Sequence, residues 1–374
     1  VHGSGFVPIS TAYLPLLNLR AVAFGFVLAA LALHGRLARR HGDADPWAET
    51  LQATLRQAMA LLGAELLTLE IVGAVNLLAA HGYQSLLGMS LRTATAVALA
   101  VAWAAYATAL IWYGVRRALR GYLTIGMLIT ALACATGVLA GLVYAPLDRY
   151  LPLGNPRAAL CALLLLALAI QDRLVRRAAA FPAWQAAAPE AYRLAAAAIG
   201  FEWLTLELWQ GIGRYESPLV FKMVPELARL MALTGAWALY AALLTGVGRR
   251  LRSRTFRGLG FALLCVTVAL TIILGFRYAP IDAFTPVINL RVAMVAAVVS
   301  SLLLHLRWAD AEAYPRMPER RSVFAVAIAA LLFQAVSMET WDACSRIIAE
   351  QPLRPGAVDM RQMALSLTWI GYAI

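Results

Sequence analysis

Tyr144-Ala-Pro-Leu-Asp-Arg-Tyr-Leu-Pro-Leu-Gly-Asn-Pro-Arg157 returns later in the chain as Tyr278-Ala-Pro-Ile-Asp-Ala-Phe-Thr-Pro-Val-Ile-Asn-Leu-Arg291. Its second half stands near the start as Tyr13-Leu-Pro-Leu-Leu-Asn-Leu-Arg20. An apolar run of about twenty residues, long enough to cross a bilayer, follows each copy. Asn155-Pro156 reads as a helix N-cap followed by proline at the first helical position. Asn18 and Asn289 can cap the corresponding helices.

Other landmarks keep the same period. Arg20 to Arg157 is 137 positions and Arg157 to Arg291 is 134. Glu70, Glu207 and Glu339 are separated by 137 and 132, and Trp103, Trp237 and Trp369 by 134 and 132. The period divides the chain into residues 1–145, 146–279 and 280–374, the last a truncated copy. Each full unit holds four apolar helices. An even number brings successive units into the membrane in the same direction, as in parallel repeats. The expected helices run over Leu19–His34, Thr54–Ala80, Arg92–Val115 and Gly121–Tyr144 in the first unit. The second has Pro156–Leu174, Glu190–Ile212, Glu226–Val247 and Gly258–Tyr278. The third has Leu290–Trp308, Ser322–Ile348 and the start of an eleventh. The fold class is an all-α polytopic membrane bundle of about eleven helices in tandem four-helix repeats.

Composition agrees. Of 374 residues, 62% are hydrophobic and 14% charged, against about a quarter charged in a soluble domain. Segments of alternating polarity, which a transmembrane barrel needs, do not occur. The net charge is +12, and Lys222 is the only lysine. The arginines sit in short loops between apolar runs, which argues for membrane topology and against nucleic acid as a partner. The loops after the odd-numbered helices are the richest; Arg249, Arg250, Arg252, Arg254 and Arg257 follow the seventh. That side is expected to be cytoplasmic, which places the Tyr-Ala-Pro loops outside the plasma membrane. Cys134, Cys161, Cys265 and Cys344 lie in apolar runs and read as core residues. Neither they nor the five histidines have ligand spacing, so no metal and no cofactor is expected. No phosphate-binding glycine loop or nucleophile elbow is present. The chain opens on Val-His-Gly and ends inside an apolar run, and it reads as a piece of a longer protein.

The Asn-x-Arg helix starts, the arginine-rich turns and the stretch Ala364-Leu-Ser-Leu-Thr-Trp-Ile-Gly-Tyr-Ala373 resemble the bacterial membrane proteins grouped as domain of unknown function 2339. The resemblance covers essentially the whole chain. It implies a long multi-pass protein and carries no activity or catalytic residue with it.

The candidate site follows from charge at depth. Arg20, Arg157 and Arg291 fall in the first turn of their helices, where a cation opposes the helix dipole. A carboxylate, a lipid phosphate or a bound anion should offset them. Asp148 and Asp282, nine residues earlier in the loops, are candidates; snorkelling to headgroups is the plainer alternative. Glu65 and Glu70, and Glu202 and Glu207, recur in aligned positions, where the third unit has Gln334 and Glu339. A carboxylate inside a span costs several kcal/mol unless paired, protonated or hydrated. Hydrogen bonds of Glu65 to Thr68, Glu202 to Thr205 and Gln334 to Ser337 are open to it at three-residue spacing. Trp103/Tyr106, Trp237/Tyr240 and Trp369/Tyr372 each share a helix face and read as packing. Gly137 and Gly141 allow a close helix approach.

Three functions remain open. The first is binding or translocation of an anionic lipid-linked or cell-envelope compound through an outward Glu/Arg-lined cavity. Its substrate-binding set would be Asn18, Arg20, Glu65, Glu70, Asp148, Asn155, Arg157, Glu202, Glu207, Asp282, Asn289, Arg291 and Glu339. The second is a membrane scaffold whose Glu–Arg pairs are interhelical staples. The third, disfavoured by the short loops, is an enzyme at the outer face, with Asp148, Asp282 or a glutamate as base.

Overall fold

The computed structural model describes residues 18–41, 46–81, 89–144, 151–177, 187–214, 225–278, 285–308, 320–350 and 357–373. Asp148 and Asp282 lie outside them. Every regular element among the described residues is a helix. Up to the middle of the chain these are α1 Leu19–His41, α2 Pro46–Ala80, α3 Leu91–Arg117, α4 Arg120–Val143, α5 Pro156–Arg177 and α6 Ala188–Arg214. Beyond it come α7 Pro225–Arg250, α8 Arg254–Arg277, α9 Leu290–Arg307, α10 Arg320–Glu350 and α11 Ala357–Ala373. Nine of them are long and apolar enough to cross a membrane. The other two are α6, which carries Glu202 and Glu207 mid-helix, and α11, whose described length is 17 residues. The helices match the expected set, but α1 runs on to His41 and α2 starts eight residues early, at Pro46. The apolar run marks only the buried length. A helix continues past it until a residue stops it, and proline at a first helical position starts one without losing a hydrogen bond.

Two compact units divide within α6, at Trp203/Leu204. In the first, α3 packs on α2, α4 and α5, and α1 on α2. In the second, α7 packs on α8 and α9, α9 on α10, and α10 on α11. The same kinds of neighbour recur, and they cross the boundaries drawn by the sequence period. Ile111, Leu123, Leu160, Leu164 and Leu168 are at the centre of the first core; Met231, Leu264, Met294, Val298 and Leu302 are at the centre of the second.

Polarity runs opposite to that of a water-soluble bundle. Gln171, Thr245, Thr267, Thr271 and His305 are fully enclosed, while Leu128, Leu132, Leu139 and Leu142 form an exposed stripe on α4. Large exposed apolar surfaces of this kind belong against lipid. Cys265 lies on such an outward face of α8 rather than in the core; Cys161 and Cys344 are buried as expected.

The α3–α4 and α7–α8 turns are built alike. Ala118 and Arg252 take left-handed φ of 54° and 51°. The next residue closes a six-residue bond, Leu119 N to Gly114 O and Ser253 N to Gly248 O, both 2.8 Å. This satisfies helix-end carbonyls. It also brings the following helix so close that a Cβ on Gly248 would lie 2.9 Å from the Arg257 main-chain nitrogen. Farther along the same pair, a Cβ on Gly260 would lie 2.3 Å from Thr245 Oγ1 and 2.7 Å from Ala241 O. Gly260→Ala is therefore expected to destabilise the second unit by about 1–3 kcal/mol, read as a lower midpoint of thermal unfolding in detergent, with Gly258→Ala, where a Cβ meets open space, near wild type.

Candidate functional site: a clamp at the helix start

The loop that opens each repeat holds its asparagine in one geometry. Asn18, Asn155 and Asn289 accept the main-chain N–H of Ala21, Ala158 and Val292 at 2.9, 3.0 and 3.1 Å. These are N-caps, satisfying donors that a helix start leaves free. The amides of Asn155 and Asn289 also reach back four residues, to Leu151 O at 3.2 Å and Thr285 O at 3.3 Å. Two residues before the cap, Leu153 and Val287 take left-handed φ of 60° and 68°. For the β-branched Val287 this is a strained conformation.

The arginine two places after the cap points inward. Arg157 and Arg291 are each 1% exposed, which overturns the snorkelling alternative for both. Arg157 donates to the carbonyls of Gly141 at 3.1 Å and Tyr144 at 2.8 Å. These lie at the C-terminal end of α4, where carbonyls lack helical partners and the dipole is negative. The cation that opposes the dipole of its own helix thus complements the end of the preceding one. Tyr144, which caps α4, also lays its ring under the guanidinium at 4.9 Å, and Tyr278 does the same for Arg291 at 4.7 Å. The conspicuous tyrosine of the repeated loop is therefore a cation–π partner. Arg20 is half-buried, and its guanidinium points at Leu69 O, 3.4 Å away.

The repeated glutamate completes the clamp. Glu339 accepts from Asn289 Nδ2 at 2.9 Å, Val287 N at 3.0 Å, Arg291 Nε at 2.9 Å and Arg291 Nη2 at 2.6 Å. Asp342, one helical turn on, stands 2.7 Å from the same guanidinium nitrogen; the sequence reading missed it because it has no counterpart at the repeat period. Glu70 accepts both contacts of the Asn18 amide, at 2.9 and 3.0 Å, and is buried. Glu207 is buried as well. Glu65 is not: it is exposed. Glu202 has both carboxylate oxygens enclosed without a hydrogen-bond partner.

The Glu–Thr bonds that the spacing permits do not form; the hydroxyls serve another pair. Trp103 Nε1 donates to Thr68 Oγ1 at 2.9 Å, Trp237 Nε1 to Thr205 Oγ1 at 3.0 Å and Trp369 Nε1 to Ser337 Oγ at 3.1 Å. Thr68 in turn donates to Ala64 O. Tyr106 and Tyr372 donate to Ala60 O and Ala329 O. Trp103/Tyr106 and Trp237/Tyr240 are partly buried packing elements, whereas Trp369 and Tyr372 are exposed; in all three copies the indole ties adjacent helices through its polar end. A further interior tie went unread. Gln171 joins Thr108 and Thr130 at 2.8 and 2.9 Å, and His305, 134 positions later, meets Thr245 Oγ1 at 2.8 Å. The spacing was visible, but the residue type changes between copies.

An apolar cavity of about 630 Å³ lies between α9 and α10, walled by Val292, Val295, Val299, Leu332 and Val336, with Glu339 near the loop end. Compared with models of protein families, with curated proteins and with solved structures, the chain finds no match.

Removing the hydroxyl from each indole bond is expected to cost about the same. Thr68→Val, Thr205→Val and Ser337→Ala should each lower unfolding free energy by roughly 0.5–1.5 kcal/mol, measured by thermal unfolding in one detergent.

Proposed function

We propose that this multi-pass membrane protein is a scaffold of tandem four-helix modules, with the Asn–Arg–Glu clamp as its interhelical staple. The observation that carries this reading is the enclosure of Arg157 and Arg291, both spent on protein groups. A group so committed holds helices; to hold a ligand it would first have to release them. The proposed setting is the bacterial plasma membrane, with the arginine-rich turns cytoplasmic and the Tyr-Ala-Pro loops outside. Kinship with the domain of unknown function 2339 proteins is part of the same proposal and rests on the Asn-x-Arg starts and the Ala364–Ala373 stretch.

A second reading, binding or translocation of a lipid-linked envelope compound, is favoured by the cavity that reaches Glu339. Its walls suit an apolar chain and its volume is that of a small-molecule site. An anionic headgroup suits it less, because a carboxylate stands at the end and Arg291 is already paired. The enzyme reading leans on Asp148 and Asp282, outside the described residues.

Two tests follow. Glu339→Gln removes the charge-assisted bonds to Arg291; the scaffold reading expects a loss of about 1.5–3 kcal/mol in detergent unfolding, whereas wild-type stability with altered retention of co-purified lipid would favour the binding reading. In a variant whose four native cysteines are replaced, Arg252→Cys should react with a membrane-impermeant maleimide only in inverted vesicles, and Leu153→Cys only in intact spheroplasts.

A further inference from the structure

Glu202 on α6 and Gln334 on α10 occupy corresponding places, 132 positions apart. Each faces a glycine near the end of a neighbouring helix, and these glycines, Gly141 on α4 and Gly275 on α8, are 134 apart. A Cβ on Gly275 would lie 2.8 Å from Gln334 Nε2, and a Cβ on Gly141 would lie 2.7 Å from Glu202 Oε1. One carboxylate oxygen therefore sits where its counterpart has an amide nitrogen.

That nitrogen is a donor: Gln334 Nε2 gives a hydrogen bond to Ile272 O at 2.8 Å. The corresponding α4 residue is Val138. An ionised carboxylate offers only acceptors and could not make the bond to a main-chain carbonyl that Gln334 makes at the corresponding place. A protonated carboxyl has the shape of the glutamine amide and supplies the missing donor. Both Glu202 oxygens are enclosed and have no hydrogen-bond partner, which for a charged group in an apolar setting is a large penalty. Arg157 of α5 borders the same space: a Cβ on Gly141 would also lie 4.0 Å from Arg157 Cγ. Its Nε and Nη2, however, donate to Gly141 O and Tyr144 O, and its ring partner is Tyr144.

We propose that Glu202 is a proton-binding site inside the bundle, its carboxyl protonated at neutral pH and donating to the α4 main chain as Gln334 donates to α8. The ligand is a proton, taken from and returned to water. An ionisable group held in this way within a membrane helix is what proton relays use, and here it stands beside a buried guanidinium.

Infrared spectroscopy of the protein in phosphatidylethanolamine/phosphatidylglycerol vesicles at pH 7 tests this. The wild type minus Glu202→Gln difference should show a protonated-carboxyl carbonyl band that shifts in deuterated buffer. The Glu202→Gln variant should fold with an unchanged thermal midpoint, since it installs the group found in the other copy. The reciprocal Gln334→Glu should add a second such band. A difference spectrum showing an ionised-carboxylate band instead overturns the proposal, because Glu202 is then paired with Arg157 as an ion. Failure of Glu202→Gln to fold overturns it too, because a neutral carboxyl is replaceable by an amide of the same shape.

Discussion

A guanidinium enclosed at the first turn of a membrane helix has to be satisfied by the protein itself. Water is excluded at Arg157 and Arg291, the dipole of their own helix opposes them, and an unpaired buried charge costs several kcal/mol. The chain meets this constraint with three kinds of partner. For Arg157 the end of the preceding helix offers carbonyls, for Arg291 a glutamate from the following helix offers a carboxylate, and for both the tyrosine that caps the preceding helix offers its ring. In the second unit these contacts draw α8, α9 and α10 toward one point. The left-handed strain at Val287 is a consequence, because that backbone turn aims its N–H at Glu339.

A buried ion pair is seldom the most stable filling for a core. What it offers is discrimination, since a helix shifted by one turn would leave the arginine without its carboxylate. Between helices surrounded by lipid, the hydrophobic effect cannot choose a register, and polar ties and small residues have to. The indole–hydroxyl bonds of Trp103, Trp237 and Trp369, the Gln171 and His305 ties, and the close glycine contacts act in the same way. Each fixes a pair of helices at one height and one rotation.

Much of this fold could be read before any coordinates. Helix number and order followed from apolar run length, and the asparagine caps followed from the residue type before each run. The helix ends were misjudged because hydropathy reports burial in lipid and is blind to helix that extends beyond it, as at Pro46 and His41. The site was legible as a set of residue types at matching positions, but their partners were not. Spacing along the helix permits Thr68 and Thr205 a bond to a glutamate on their own helix. The structure gives them to tryptophans on the next helix, a contact that spacing along one helix cannot reveal. Asp342 was missed for the opposite reason: a search by repetition passes over a residue that occurs once.

The account stands or falls on whether the helix-start arginine and the repeated glutamate stabilise the fold through each other. A double-mutant cycle on Arg291→Met and Glu339→Leu, read as unfolding free energies in one bilayer mimetic, measures that coupling directly. A coupling of about 1.5–3 kcal/mol is expected, with the double variant less damaged than either single change. Additive losses, with no coupling between the two positions, would contradict the account.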